Sequence, residues 1–375
     1  MKTLPYIAIS LAIVALFSAA CTSTNPSNPS NLRVRKSVTR MTTEEKADFV
    51  SAVKALKTVP SPYDPTLNYY DQFVKWHYLA FFCDAGTVGG DGMFPAHMNP
   101  GFLPWHRVYL DLFERALRDV SGKDVTIPYW DWTDPSAQQV LFSDELVGGD
   151  GDPSQGYAVT SGPFQKDAWI ITVSDEVDID SVFFDHNTSP NVVPYLTRRI
   201  GKNLNADALL PTSAEILGSL SIPTYDSAPW DSSVDTTISF RNSLEGWRGT
   251  AGNECDPNGV MDVISIPGER GSTQHNIVHV YVGGIWRAPD GNIYAGSMCQ
   301  ATSPNDPVFW IHHANIDRIW SGWMKRHGKN YASGGEMMSG LNEVLMPWDF
   351  RMDGLNTPAA VMDESVLGYQ YDELP

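Results

Sequence analysis

Apolar side chains recur at spacings of three and four along several stretches of the chain. Between residues 306 and 325, Phe309, His313, Ile316, Trp320 and Trp323 share one face of a 3.6-residue period. Asp306 suits the N-cap and Pro307 the first turn, where a missing N–H is harmless. The same period predicts helices around Phe73, His77 and Phe81, over residues 104–120 through His106, Leu110, Phe113 and Leu117, and over residues 275–282. A further helix starts at the capping box of Thr42 and Glu45, continues through Ala47, Val50, Val53 and Leu56, and stops before Pro60 and Pro62. On the 104–120 helix, Arg107–Asp111, Asp111–Arg115 and Glu114–Arg118 stand at i,i+4, the pattern of a solvated face. Residues 133–225 are polar and rich in turn formers; they predict surface excursions with short strands and a helix over 193–204. Gly283, Gly284, Asp290 and Gly291 predict a hairpin between the last two helices. No internal repeat and no second domain boundary stands out. The class is mainly α: a four-helix bundle with long loops and a few short strands.

Several of these apolar faces carry a histidine. A lone histidine on such a face is usually a core residue bonded to a backbone carbonyl, because a buried imidazole needs partners for both nitrogens. Here they come in sets. His275 and His279, at i,i+4, put two imidazoles a turn apart on one side of a helix, where both can grip one metal ion. His77 and His106 sit on upstream helices, and His97 follows a loop containing Gly86, Gly89, Gly90 and Gly92. With His313, two groups of three lie in two halves of the chain. Neither group has an evident carboxylate or thiolate partner, whereas hydrolytic two-metal sites mix in Asp or Glu and structural zinc favours Cys. Asn276 stands where the zinc-protease helix needs Glu. On affinity alone such sites suit copper, zinc, iron or nickel. Spacing alone gives two metals with three imidazoles each.

These residues resemble those of the tyrosinase family of type 3 copper proteins. The first copper signature is matched by His77, His97 and the run Pro104, Trp105, His106 and Arg107. The second is matched by His275 to His279 and by Asp306 to His313. Pro128 to Trp132, Thr160 to Phe164, and Tyr369, Gln370 and Tyr371 look like further landmarks, so the resemblance spans residues 33–375. It implies a dinuclear copper centre inside the bundle, with His77, His97 and His106 on one copper and His275, His279 and His313 on the other. Phe309, four residues before His313, matches the aromatic beside the last ligand, which leaves His312 pointing elsewhere. It also implies that Glu245 and Asn276 hold a water that deprotonates the phenol; the bland alternative for Glu245 is a solvated surface carboxylate. Phe309 and Val280 are expected near substrate. Arg107 and Arg318 sit beside ligands and have Asp306, Asp317 or Asp131 as candidate partners, either as scaffold or to orient an imidazole. Trp130, Trp132, Trp320 and Trp323 are expected in the core. Pro95 occupies the position of a cysteine that fungal and molluscan relatives link to this histidine, and Cys83 lies too far away, so no thioether is expected on His97.

The activity so implied uses O2 to ortho-hydroxylate monophenols such as tyrosine and to oxidise o-diphenols to o-quinones, the chemistry of melanin formation. Its rivals are a catechol oxidase or o-aminophenol oxidase without monophenolase activity, an oxygen carrier like the hemocyanins, and a metal hydrolase. Hemocyanins shield their copper with an extra domain, and this chain ends soon after Tyr371.

Composition adds the setting. With 375 residues, 42% of them hydrophobic, the chain can bury a large core. Its net charge of −18 argues against nucleic acid and anionic membranes as partners. Lys2, the apolar run of residues 7–17 and the small residues Ser18, Ala19 and Ala20 predict a signal peptide over 1–20. A polar linker over 21–32 and a catalytic domain over 33–375 follow, with no transmembrane span in the mature chain. The expected destination is the periplasm or the exterior. Cys21 after the cut leaves open lipid anchoring or ordinary secretion, since Ser18 stands where lipoprotein signals usually carry Leu. Expected partners are O2, phenols and a copper chaperone. In an oxidising compartment Cys255 and Cys299 are candidates to pair.

Overall fold

The computed structural model describes residues 32–81, 96–173, 193–204, 206–246, 273–287, 291, 293–333 and 339–375. Its helices are α1 (Thr43–Leu56), α2 (Tyr69–Phe81), α3 (Phe102–Ser121), α4 (Pro135–Leu141), α5 (Ser213–Leu220), α6 (Phe240–Glu245), α7 (Gln274–Gly283), α8 (Val308–His327) and α9 (Pro358–Val361). Short strands pair in twos: β1 (Arg33–Arg35) with β8 (Tyr369–Tyr371), β2 (Gly151–Asp152) with β3 (Ala158–Val159), β4 (Lys202–Asn203) with β5 (Ala206–Asp207), and β6 (Ile285–Arg287) with β7 (Ile293–Ala295). The protein is therefore mainly α, with α2, α3, α7 and α8 forming the histidine-bearing bundle.

α1 begins as expected: Thr42 Oγ1 accepts the Glu45 N–H at 3.1 Å, and Glu45 Oε2 accepts that of Thr42 at 2.8 Å. α8 is buried on all sides from Val308 to Met324, which makes it the central helix. It starts one residue late, with Pro307 at the N-cap. Asp306 Oδ1 still accepts the Val308 N–H at 3.1 Å, but both its oxygens are held at 2.7 Å by Arg198. Trp310 lies flat on Phe113 of α3, ring centroids 3.5 Å apart, and locks the two helices together. Trp130, Trp132, Trp320 and Trp323 are buried, as expected of core residues. The hairpin between α7 and α8 is present and antiparallel, with Ile285 opposite Ala295.

Two expectations are corrected. The charged pattern on α3 is no solvated face: Arg107, Asp111 and Glu114 are fully buried. Other elements cover them and supply counter-charges. Glu114 accepts from Arg35 of β1 at 2.8 Å, and Arg351 lies 3.0 Å from Asp111. Residues 193–204 are not a helix either, because their backbone groups serve other segments. The Leu196 carbonyl accepts from Val159, and the N–H groups of Arg198, Arg199 and Gly201 donate to Tyr157, Gly283 and Tyr281. The helix of this region is α5, opened by a capping box of Thr212 and Glu215.

Under the bundle, β1 and β8 run parallel, Arg35 opposite Tyr371. Both meet Asp317 of α8. Its Oδ1 accepts from Arg107 at 2.5 Å, and its Oδ2 accepts from Tyr369 at 2.5 Å, Tyr371 at 2.6 Å and Arg35 at 3.3 Å. This buried hub ties the first and last strands to the two helices that carry His106 and His313.

Among the described residues, no helix is long and apolar enough to cross a membrane. The segment 1–31, Cys83 and Cys255 lie outside the described residues, and with them the signal peptide, most of the linker, the thioether expectation and the Cys255–Cys299 pair.

Candidate metal centre

His77 stands in the middle of α2 and His106 in the first turns of α3, while His97 comes from the turn between them. His275 and His279 lie a turn apart on α7, and His312 and His313 on α8. All are buried or nearly so, and they gather into two groups. In one, ligand-capable atoms of His77, His97 and His106 lie within 4.8 Å of one another; in the other, those of His275, His279, His312 and His313 do. The groups face each other: the rings of His106 and His313 stack at 4.4 Å, and His97 lies 6.3 Å from His275.

The Nδ1 atoms show what holds the rings. Nδ1 of His77 is 2.7 Å from the Ala301 carbonyl, that of His106 is 2.8 Å from the Phe102 carbonyl, and that of His279 is 2.7 Å from the Met298 carbonyl. Nδ1 of His275 meets Asn276 Oδ1 at 2.8 Å and the Glu245 carbonyl at 3.3 Å. An oxygen acceptor at Nδ1 fixes the proton there and leaves the Nε2 lone pair as the free donor, the tautomer a metal requires. These lone pairs converge. Nε2 of His275 is 3.1 Å from that of His279 and 3.3 Å from that of His313. Two such lone pairs cannot bond each other, but the spacing suits a shared ion: ligands at about 2.0–2.1 Å in a tetrahedral site stand roughly 3.3 Å apart. His106 Nε2 is likewise buried with no hydrogen-bond partner among the described residues. Burial pushes the His77 imidazole down to about 3 and that of His279 to about 4, and holds those of His97, His106, His275, His312 and His313 well below the usual range. The rings are thus neutral at physiological pH, ready for a cation without first losing protons.

Phe309 lies between the groups, its ring 4.1 Å from His313 and 4.9 Å from His77. His312 borders the same group from further along the turn of α8, its ring 4.8 Å from His279, 5.2 Å from His275 and 5.2 Å from Trp132, and both its ring nitrogens are buried with no hydrogen-bond partner among the described residues. Glu245, at the end of α6, is fully buried, so the surface-carboxylate alternative is corrected. Its Oε1 accepts the Met98 N–H at 2.7 Å and its Oε2 accepts from Arg241 at 2.9 Å. Asn276 sits beside His275 on α7 with a buried Nδ2 that has no partner among the described residues. Val280 packs with Ala208 and Ile285 in a small apolar cluster. Arg107 bonds Asp317, Ser321 and the Val361 carbonyl, and Arg318 meets Asp131 at 3.2 Å. Both belong to the scaffold under the helices; backbone carbonyls orient His77, His106 and His279 instead, and Asn276 Oδ1 is the nearer partner of His275. Sequence reasoning missed those carbonyls, which carry no side-chain signal. It also missed Arg241, although Arg241 and Glu245 stand at i,i+4.

Comparison with known proteins agrees with this geometry. The family described as the common central domain of tyrosinase matches residues 67–326. A tyrosinase of Streptomyces lincolnensis is 36% identical over 340 residues, 89% of this chain and 97% of that protein. A grixazone synthase of Streptomyces griseus is 35% identical over 356 residues, 91% of this chain and all of that protein. The structure of a polyphenol oxidase variant from Thermothelomyces thermophila shares the fold, with a TM-score of 0.58 at 22% identity, over 93% of this chain and 90% of that one. The chain belongs to the tyrosinase family: it is a copper-dependent oxidoreductase of the type 3 class, and its two histidine groups fit the pair of copper ions that class carries.

Proposed function

We propose that this enzyme ortho-hydroxylates monophenols and oxidises o-diphenols to o-quinones, with His77, His97 and His106 holding one copper and His275, His279 and His313 the other. Its relatives over nearly the whole chain are named as enzymes, which favours catalysis over oxygen carriage. The copper pair supplies the activation of O2. The protein supplies neutral imidazoles, the Phe309 ring packed between the two groups, and the means to take the phenol proton.

The observation that carries the monophenol half is that Asn276 Oδ1 and the backbone carbonyl of Glu245 both lie at His275 Nδ1, which sets residue 245, with its buried carboxylate on Met98 and Arg241, next to Asn276. The bond from His275 Nδ1 fixes the Asn276 amide by its oxygen and leaves Nδ2 as a donor. That donor and the buried Glu245 carboxylate are the two groups a proton-accepting water needs: one to orient it, one to raise its basicity. Asn276→Asp keeps the acceptor for His275 and deletes the donor. It is expected to lower hydroxylation of L-tyrosine by about 100-fold, a typical worth of general-base help, and to lower L-dopa oxidation far less. Oxygen uptake on the two substrates reads this directly, and equal losses on both would contradict the assignment. Uptake on catechol or 2-aminophenol without any on L-tyrosine marks the narrower oxidases instead.

Residues 1–20 are proposed to direct export, with lipid anchoring through Cys21 and ordinary secretion as the two forms it can take, and a partner protein is proposed to deliver copper. The mass of the mature N-terminal peptide tests this: an uncut Met1 rejects export, a lipid mass on Cys21 marks anchoring, and an unmodified cut peptide marks ordinary secretion.

A further inference from the structure

Of the six proposed ligands, His97 alone comes from a turn. A helix fixes the direction of a side chain through its neighbours, whereas a turn must be fixed by bonds to its own backbone. The residue after His97, Met98, holds φ at +58°, a left-handed conformation that non-glycine residues adopt only under restraint. Asn99 Nδ2 donates to the His97 carbonyl at 2.9 Å within the turn, and two further bonds reach it from the segment around α6. Glu245 Oε1 accepts the Met98 N–H at 2.7 Å, and the Tyr225 hydroxyl donates to the Pro100 carbonyl at 2.6 Å.

Both restraints connect to Arg241, the first through its buried side chain and the second through its backbone and through Asp226, the residue after Tyr225. Arg241 donates from Nη1 to Glu245 at 2.9 Å, from Nε to Asp226 at 2.9 Å and from Nη2 to the Asp231 carbonyl at 2.8 Å. Its backbone N–H donates to the carbonyl of Tyr225 at 2.8 Å. Asp226 also accepts from Ser239 at 2.7 Å. The guanidinium is fully buried between two carboxylates and, among the described residues, is hydrogen-bonded to no imidazole.

We propose that Arg241 is a positioning residue for the copper held by His77, His97 and His106: by pinning Glu245 and the loop at Tyr225 and Asp226 it fixes the 97–100 turn, and so the aim of His97. This rests on the ligand reading given above. A lysine cannot replace it, because one ammonium cannot span Asp226, Glu245 and the Asp231 carbonyl together.

The test loads full-length protein with copper, then follows metal loss to a chelator as copper per chain. Paramagnetic resonance runs alongside, since a lone oxidised copper gives a signal that a spin-coupled pair does not. In Arg241→Lys, one copper of the two is expected to leave about tenfold faster than in the parent, the lower end for residues that support metal ligands, and the lone-copper signal to grow as it goes. Adding Met98→Gly is expected to recover part of the loss, because glycine holds a positive φ without restraint. Tyr225→Phe, which removes one hydroxyl, is expected to move the same copper in the same direction by a few-fold. Parent-like release of both coppers from Arg241→Lys and Tyr225→Phe overturns the proposal. So does faster loss of both together without recovery by Met98→Gly, since that is what a purely structural role gives. His97→Ala separates the two levels: if it still retains two coppers, the ligand reading itself fails.

Discussion

His313→Ala is expected to hold one copper per chain and to bring L-dopa oxidation down to background, whereas His312→Ala keeps both metals and most of the activity. The two residues are neighbours on α8 and differ only by the 100° turn between successive positions. That turn aims His313 at the facing histidine group, where its ring stacks on His106 at 4.4 Å and its Nε2 stands 3.3 Å from that of His275. It aims His312 toward Trp132, with its ring parallel to His275 at 5.2 Å. Only His313 faces the space that both groups share. Because O2 has to reach both metals together, losing one removes turnover and does not merely slow it. Copper analysis with oxygen uptake decides the case. A one-copper His312→Ala beside a two-copper His313→Ala reverses the assignment.

The largest expected effect on stability falls on a residue that touches no imidazole. Asp317→Ala strips the acceptor from two buried arginines, Arg35 and Arg107, and from the hydroxyls of Tyr369 and Tyr371. The two cations stay buried, and Glu114 is left as the principal counter-charge of Arg35. Breaking a buried ion pair from one side typically costs about 3–5 kcal/mol, since an uncompensated charge remains in a poorly solvated place. An exposed carboxylate is a fair contrast: Glu145, paired with Lys46 at the surface, is expected to matter by about 0.5 kcal/mol or less on truncation. Denaturant unfolding of the metal-free protein measures both. A loss below about 1 kcal/mol for Asp317→Ala means that water reaches the hub on truncation.

The bundle helices were legible because period and punctuation agree. The Thr42 and Glu45 capping box, the apolar face of α8 and the His275–His279 spacing each state local structure in local sequence. The gathering of the histidines was legible for a related reason: a polar ring on an apolar face has to be satisfied by something, and several such rings can satisfy one another through metal. Where the reading failed, the deciding partners lie far away in the chain. The charges of α3 look solvated until Arg35 and Arg351 are brought against them. Residues 193–204 look helical until Tyr157, Tyr281 and Gly283 take up their backbone bonds. The role of Arg241 was hidden differently. Its i,i+4 pair with Glu245 was visible, but an exposed pair of that kind contributes little, and only burial turns it into a fixture.

The acceptor that fixes His77 is the carbonyl of Ala301, 224 positions later in the chain, and Tyr70 on the same helix donates its hydroxyl to the carbonyl of Pro304. The upstream trio of imidazoles is therefore not finished by its own segment. A ribosome-bound fragment that carries all of α2 and α3 lacks the group that sets the His77 ring, so this trio takes its final geometry only once residues 301–304 have folded against α2.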